Sequence, residues 1–287
     1  MSSAKAAAQA ERTVGVLYLV STPIGNLGDM SHRAVDVLSS AALVIAEDTR
    51  HSRRLLDHYS IETPLSSYHE HNEAKETPRL VARLQRGDSI ALISDAGTPL
   101  ISDPGSRLVE ATVAAGLRVV PIPGASAVMA ALVATGMSLE RFTFFGFLPR
   151  KGKERTETIG DVVASRATSV LFEAPNRVGA TLDALVEAGA GERAAVVARE
   201  LTKQFEEFRR GSVAELATVY REVDPKGEVV LVIAGAEKSV VTQDELTDAA
   251  NALRESGKSP RDVMDHLVSA LGAPRNLAYK IAHEGES

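Results

Sequence analysis

From Val14 onward, short runs of β-branched and aliphatic residues alternate with longer amphipathic stretches, and this rhythm limits the possible folds more than any other feature of the chain. The runs VGVLYLVS, ALVIA, SIALIS and LRVVPIP each have the length and apolarity of a buried strand. Between them, Arg79 to Arg86 carries apolar residues at Leu80, Val81 and Leu84 and stops at Gly87, a C′ glycine leading into the strand at 89–93. Such alternation predicts βαβ units and an α/β fold with a largely parallel sheet. After Pro121-Ile122-Pro123-Gly124 an Ala-rich helix is expected, followed by a second series, RFTFFGF, SVLFEA, AAVVARE and EVVLVIAG, with helices at roughly 176–188 and 212–221. The expected organisation is an N-terminal α/β domain over 14–122 and a C-terminal α/β domain over 123–238. Beyond about residue 240 the strand pattern ends, and 239–287 reads as a helical module of two or three short helices, one opened by Ser259-Pro260 as N-cap and N1. The alanine-rich residues 1–13 read as a disordered extension.

Composition narrows the function classes. The chain has no cysteine, which removes disulfides, thiolate zinc sites, iron–sulfur clusters and cysteine nucleophiles. Thirty-two Lys and Arg against 38 Asp and Glu give a net charge of −6, so only a local patch, not the whole surface, can attract phosphate. With no Trp, five Tyr and seven Phe, few rings are available for a base-stacking platform. The longest mostly apolar stretch, Ala125 to Met137, is too short to span a bilayer and is broken by Gly136, and the first dozen residues lack a secretory core. A cytoplasmic protein without a membrane partner is expected.

Four groups of residues have the character of a ligand site. Ser21 to Asp29 (STPIGNLGD) follows the first strand, where glycines let the backbone approach a ligand, yet it is neither G-x-G-x-x-G nor a Walker A loop. Ser94 to Gly105 (SDAGTPLISDPG) packs two aspartates, two prolines and two glycines into a stiff loop, with Asp95 and Asp103 as acceptors for ligand hydroxyl or ammonium groups. Glu47-Asp48-Thr49-Arg50-His51 follows ALVIA. The fourth group, Pro123 to Ala127, Phe172 to Pro175, Ala198 to Lys203 and Lys226 to Glu228, puts polar groups at strand ends of the second domain, where a cleft facing the first is expected. His58, His69 and His71 lie near Glu70 and Glu73, but the i, i+2 spacing of His69 and His71 suits one face of a strand and no distant ligand completes a set, so no metal is expected.

The motifs SDAGTPLISDPG, STPIGNLGD, AEDTR, PIPGASA, GFLPRKGKER, RELTK and KGEVVLVIAG, in this order from Gly15 to Gly235, together with RNLAYK in the tail, resemble the ribosomal RNA small subunit methyltransferase I family of the tetrapyrrole (corrin/porphyrin) methylases. The resemblance implies two α/β domains, a homodimer, and S-adenosyl-L-methionine bound in the interdomain cleft. It also implies methyl transfer to the ribose 2′-oxygen of a cytidine in the decoding region of 16S rRNA in the small ribosomal subunit. Carried over by motif, the cofactor-binding candidates are Pro23, Asp95, Gly97, Thr98, Ile101, Ser126, Ala127, Phe172, Glu173 and Ala198. A sulfonium cofactor brings its own activated methyl, so the chain must align donor and acceptor and help remove a poorly acidic proton. Lys203, Glu200, Asp48 and Arg50 are the catalytic candidates; the sequence does not choose among them, and Arg50 would act only electrostatically.

For RNA, the basic run Arg150, Lys151, Lys153 and Arg155 stands out, joined by Arg53-Arg54 and Arg209-Arg210, and in the tail Arg275 and Lys280 flank Tyr279. Two other readings stay open: a small-molecule methylase of tetrapyrrole type, which needs no basic clusters, and a non-catalytic ribosome-assembly factor that binds RNA on the same scaffold.

Overall fold

The computed structural model describes residues 14–237 and 243–283; the expected N-terminal extension, 1–13, lies outside the described residues. The chain forms two compact units that divide after Ala236.

The first unit holds two five-stranded sheets. Strands β1 (Val16–Val20), β2 (Leu43–Ala46), β3 (Leu65–Ser67), β4 (Ile90–Ile93) and β5 (Arg118–Ile122) form the first, in the order β3-β2-β4-β1-β5 and wholly parallel. Its connections are α1 (His32–Ser40), α2 (Thr49–His58), α3 (Glu73–Gln85) and α4 (Ser106–Ala114). Alternate strand residues face opposite cores. Val20, Val44, Ala46, Ala91 and Ile93 pack on Ala34, Leu38 and Leu56 of α1 and α2, whereas Leu17, Ile45, Ile90 and Leu92 pack on Leu80, Leu84 and Leu108 of α3 and α4. Burial on both faces is the reason these strands are continuously apolar. Gly87 has φ 103°, the left-handed C′ conformation expected of it.

The second sheet contains β6 (Phe142–Phe147), β7 (Thr168–Glu173), β8 (Ala194–Arg199), β9 (Glu207–Ser212) and β10 (Val229–Ile233), ordered β6-β7-β10-β8-β9. Here the expectation of a parallel sheet is corrected. Only β6 and β7 are parallel; β10 lies antiparallel between β7 and β8, and β9 is antiparallel to β8. Because β7 and β8 both run against β10, they keep the common direction that a strand–helix–strand crossover demands, with the last strand inserted between them. The edge strand β9, EFRRGS, carries little apolar pattern, since an edge strand leaves much of its surface to solvent. Helices α5 (Ala127–Val133), α6 (Lys153–Ala164), α7 (Val178–Leu185) and α8 (Val213–Tyr220) cover the sheet. One face, including Leu171, Val197 and Leu231, packs on α6, α7 and α8; the other, including Val170, Val196, Ala198 and Val230, packs on α5 and on Ile24 from the loop after β1. Ile24 thus pins the first half of the unit into the core of the second.

The second unit contains α9 (Gln243–Glu255), α10 (Pro260–Ser269) and α11 (Arg275–His283), packed around Leu246, Ala250, Val263, Leu267, Ala278 and Ile281. Ser259 caps α10, accepting from the Asp262 amide while the Asp262 carboxylate accepts from the Ser259 amide, with Pro260 at the first helical position.

Candidate functional site

The site is built from loops at the carboxyl ends of the parallel strands, where an open α/β sheet leaves backbone groups unpaired and helices begin. The loops after β1 and β4 are sewn together: the Thr22 amide donates to the Gly97 carbonyl at 2.8 Å and the Gly97 amide donates to Thr22 at 3.0 Å. The Thr22 hydroxyl donates to the Ser94 carbonyl at 3.1 Å. The Thr98 hydroxyl donates its one proton to the Ala125 carbonyl at 3.2 Å, so the Ser21 hydroxyl, 3.1 Å away, is the donor to Thr98. Three loops therefore hold one another in register before any ligand enters. Gly97 sits at φ 79° and a Cβ there would stand 3.2 Å from Ile24, so glycine is needed for conformation as well as proximity.

Above these ties lies a cleft of about 340 Å³. Of the ten cofactor-binding candidates, Asp95, Gly97, Thr98, Ile101, Ser126, Ala127, Phe172 and Glu173 line it. Pro23 does not, although Ile24 next to it does. Ala198 is fully buried in β8 among Val196, Val230 and Phe172, so its side chain backs the wall without reaching the cleft. Glu173 is on the wall but its carboxylate is committed: the Thr181 hydroxyl donates to it at 2.6 Å, the Ala174 amide at 2.9 Å, and Arg177 pairs with it at 3.2 Å. Ile24, Ser102, Asp103, Phe147, Gly227 and Glu228 also line the cleft. Each belongs to a motif visible in the sequence, but only the fold shows that those motifs share one cavity.

None of the four catalytic candidates lines the cleft, and all are paired; Lys203 reaches the lining residue Glu228, and the Asp48 amide reaches the lining residue Asp95. Lys203 places its ammonium 2.9 Å from Glu200 and 3.0 Å from Glu228, and its stem covers Gly25. Burial lowers the Lys203 pKa, but the bonds to Glu200 and Glu228 outweigh it and the net shift is upward, so Lys203 stays an ammonium and not a base. The same bond to Lys203 holds Glu200 below the usual carboxylate range. Asp48 caps α2 through the Arg50 amide at 2.8 Å and grips the Arg50 guanidinium at 2.9 Å, which lowers its pKa to about 2. The Asp48 amide donates to Asp95 at 3.2 Å, tying the loop after β2 to the loop after β4. Beside this tie the trend reverses. Burial, with Glu47 and Asp95 nearby, raises Asp103 to about 6, and burial with Asp95 nearby raises Glu47.

The basic residues separate into two kinds. Arg53 and Arg54 on α2 and Arg150 and Lys151 before α6 are exposed, and among the described residues none of them forms an ion pair; Lys153 is exposed and pairs with Glu157 at 3.1 Å. Arg155, in the same run, is internal instead, donating to the Thr181 hydroxyl at 3.0 Å and to the Pro149 carbonyl at 3.3 Å. Arg209 and Arg210 are likewise structural: Arg210 donates to the Ala134 carbonyl at 2.5 Å, and Arg209 lies over the Tyr220 ring at 5.9 Å. In the helical unit, Arg275 lines a groove with Arg261, Asn276, Tyr279 and His283, and Lys280 is exposed on the same helix, α11. Tyr279 stacks on His283 at 4.3 Å between ring centres. No helix among the described residues is long and apolar enough to cross a membrane.

Comparison with known proteins accords with this geometry. Residues 16–217 match the family Tetrapyrrole (Corrin/Porphyrin) Methylases. Ribosomal RNA small subunit methyltransferase I of Synechocystis is 44% identical over 96% of this chain and 99% of its own length. The protein of that name from Pseudomonas aeruginosa is 48% identical over 95% and 93% of the two chains, and that from Mesorhizobium japonicum is 52% identical over 77% and 76%. Among solved structures, uroporphyrin-III-C-methyltransferase of Thermus thermophilus superposes with a TM-score of 0.56 at 23% identity, covering 77% of this chain and 94% of that one. Diphthine synthase gives 0.56 at 16% identity, over 76% and 89% of the chains. At these identities the structures establish the shared fold. The chain is a methyltransferase that belongs to the tetrapyrrole methylase family, in its ribosomal RNA small subunit methyltransferase I branch.

Proposed function

We propose that the chain uses S-adenosyl-L-methionine to methylate ribosomal RNA of the small subunit, at the ribose 2′-oxygen of a cytidine in the decoding region of 16S rRNA, as a cytoplasmic homodimer. The observation that carries this reading is the division of charge at the site. Asp95 gives the cleft a carboxylate with no ion pair among the described residues, whereas Glu173 and Glu228 on the same lining are paired with Arg177 and Lys203, and the exposed cations Arg53, Arg54, Arg150 and Lys151 lie outside the lining. An acid-lined cavity suits a ligand carrying sulfonium and ammonium groups, and cations outside it suit a phosphate backbone.

The cleft fits the cofactor in chemistry as well as charge. Ile24, Ile101, Val128, Phe147 and Phe172 give apolar walls for an adenosine, and Asp95 gives an acceptor within a loop already braced by Thr22 and Thr98. Asp95, Gly97, Thr98, Ile101, Ser126, Ala127 and Phe172 would hold it, with Pro23 and Ala198 supporting from behind; Glu173 would contribute the backbone it braces. When bound, the cofactor supplies an activated methyl group. The protein's own residues orient the acceptor, exclude water and take up a proton.

The homodimer reading is supported by α5, which leaves Met129 48% and Val133 69% exposed, an apolar face that a second copy would cover. Arg275, Lys280 and the Tyr279 stack offer the helical unit a way to hold structured RNA. The test is methyl transfer from labelled cofactor to intact small subunits, naked 16S rRNA and tetrapyrroles, followed by nuclease mapping. Label in a 2′-O-methylcytidine of 16S rRNA is expected. Label in tetrapyrrole only, or none in any substrate despite cofactor binding, overturns the reading in favour of a small-molecule methylase or a non-catalytic RNA-binding factor.

A further inference from the structure

We propose that Asp103, on the wall of the cleft, is the base that receives the proton of the substrate hydroxyl. This assignment rests on the ribose-methylation reading above.

Position comes first. Asp103 lines the same cleft as Asp95, although eight residues separate them along the chain. The loop brings them to one wall by an unusual path: Leu100 and Ser102 both hold left-handed backbone, at φ 73° and 70°. Such conformations are strained for residues with a side chain and persist only where the surroundings impose them. Pro99 and Pro104 stiffen the loop, and Gly105 lets Leu100 and Leu92 close over it, since a Cβ there would lie 2.7 Å from both. The cofactor-side ties of Gly97 and Thr98 do not require this second twist. Its effect is to deliver Asp103 to the cleft.

Availability comes next. Asp95 accepts the Asp48 amide, Asp48 grips Arg50, Glu173 is held by Thr181 and Arg177, and Glu200 and Glu228 share Lys203. Asp103 forms no ion pair among the described residues; the Ser94 hydroxyl bonds to its carboxylate, and the remaining lone pairs keep acceptor capacity for a substrate proton.

The third point is basicity. An ordinary carboxylate is a weak base toward an alcohol, and general-base catalysis improves as the base's pKa approaches the working pH. The groups facing Asp103 from its own wall are Asp95 after β4 and Glu47 after β2, the latter flanked by Asp48, His69 and Glu70; the charged groups on the opposite wall, Glu173 and Glu228, are each held by a cation. Burial first, and then the negative neighbours Glu47 and Asp95, against the opposing Ser94 hydrogen bond, raise Asp103 to about 6. In the step itself, the ribose oxygen forms its bond to the methyl carbon as the carbon–sulfur bond breaks, sulfur keeps the bonding pair, and the hydroxyl proton passes to an Asp103 oxygen and then to solvent.

Asp103→Asn, Asp103→Glu and Glu47→Gln test this against wild type. The readouts are cofactor affinity by calorimetry, single-turnover methylation of small subunits against pH, and titration of 13C-labelled aspartate carboxyls in the ligand-free protein, the Asp103 signal being the one lost in Asp103→Asn. Asp103→Asn should keep wild-type melting and cofactor affinity but slow methylation on the order of 100-fold, with Asp103→Glu recovering part of the rate. The wild-type rate and the Asp103 carboxyl signal should turn over together near pH 6, and Glu47→Gln should move both to lower pH. A rate in Asp103→Asn within about tenfold of wild type, loss of cofactor binding in that variant, or a carboxyl that titrates in the ordinary aspartate range overturns the assignment. Wild-type protein that methylates no ribosomal RNA would sink the functional reading instead, while the substrate-free titration still judges Asp103.

Discussion

Glu173→Ala separates a structural carboxylate from a ligand-binding one. The Glu173 side chain is 0% exposed and has three partners: the Thr181 hydroxyl at 2.6 Å, the Ala174 amide at 2.9 Å and the Arg177 guanidinium at 3.2 Å. Arg155 adds a bond to Thr181, and Arg177 adds bonds to the Leu148 and Pro149 carbonyls at 2.7 and 3.1 Å, so the network ties β7 to the GFLPRKGKER segment. Removing one partner of a buried pair costs roughly 3–5 kcal/mol because the other charge is left stranded. Arg177 keeps its two carbonyl partners, which favours the lower end of that range. A loss of about 3 kcal/mol lowers the melting temperature by roughly 6–12 °C at 2–4 °C per kcal/mol. Glu173→Gln, which keeps shape and one acceptor, should cost about 1–2 kcal/mol. Urea titration followed by circular dichroism measures the loss, and calorimetry at a temperature where the variant is folded should find cofactor affinity close to wild type. A variant as stable as wild type that binds cofactor tenfold more weakly would refute this reasoning and return Glu173 to the ligand.

Asp95→Ala should weaken cofactor binding by about tenfold or more and cost only about 1 kcal/mol of stability through the Asp48 amide it releases, a split read by calorimetry and melting. Replacing Arg150 and Lys151 by Ala should weaken subunit binding and flatten its salt dependence by roughly one unit of slope per lost phosphate contact, whereas an unchanged slope with lower turnover would point to folding or chemistry. Truncation after residue 238 should leave cofactor affinity near wild type and sharply reduce methylation of small subunits; wild-type methylation would deny the helical unit a substrate role.

The chain's local signals were sufficient for much of the architecture. Strand and helix periodicity depends on near neighbours, so the βα rhythm, the Gly87 stop, the Ser259-Pro260 cap and the helical end could be read directly. The loops that line the cleft were also legible, because stiff, glycine-bearing turns after strands have few other uses. Other features depended on residues distant in sequence. β9 was not recognised since an edge strand needs no apolar alternation, and the insertion of β10 between β7 and β8 follows from packing, not from any pattern within VVLVI. Arg155 and Arg210 look in sequence like Arg150, yet a hydroxyl and a carbonyl supplied by other elements anchor their guanidinium groups, Arg155 partly buried and Arg210 still exposed. The same holds for the carboxylates. Asp48, Glu200 and Asp103 are chemically alike as letters, but Arg50 and Lys203 stabilise the first two as anions, while Glu47, Asp95 and burial disfavour charge on the third. Sequence fixes which groups exist; only the tertiary structure decides which charges meet, because electrostatic free energy depends on distance and burial.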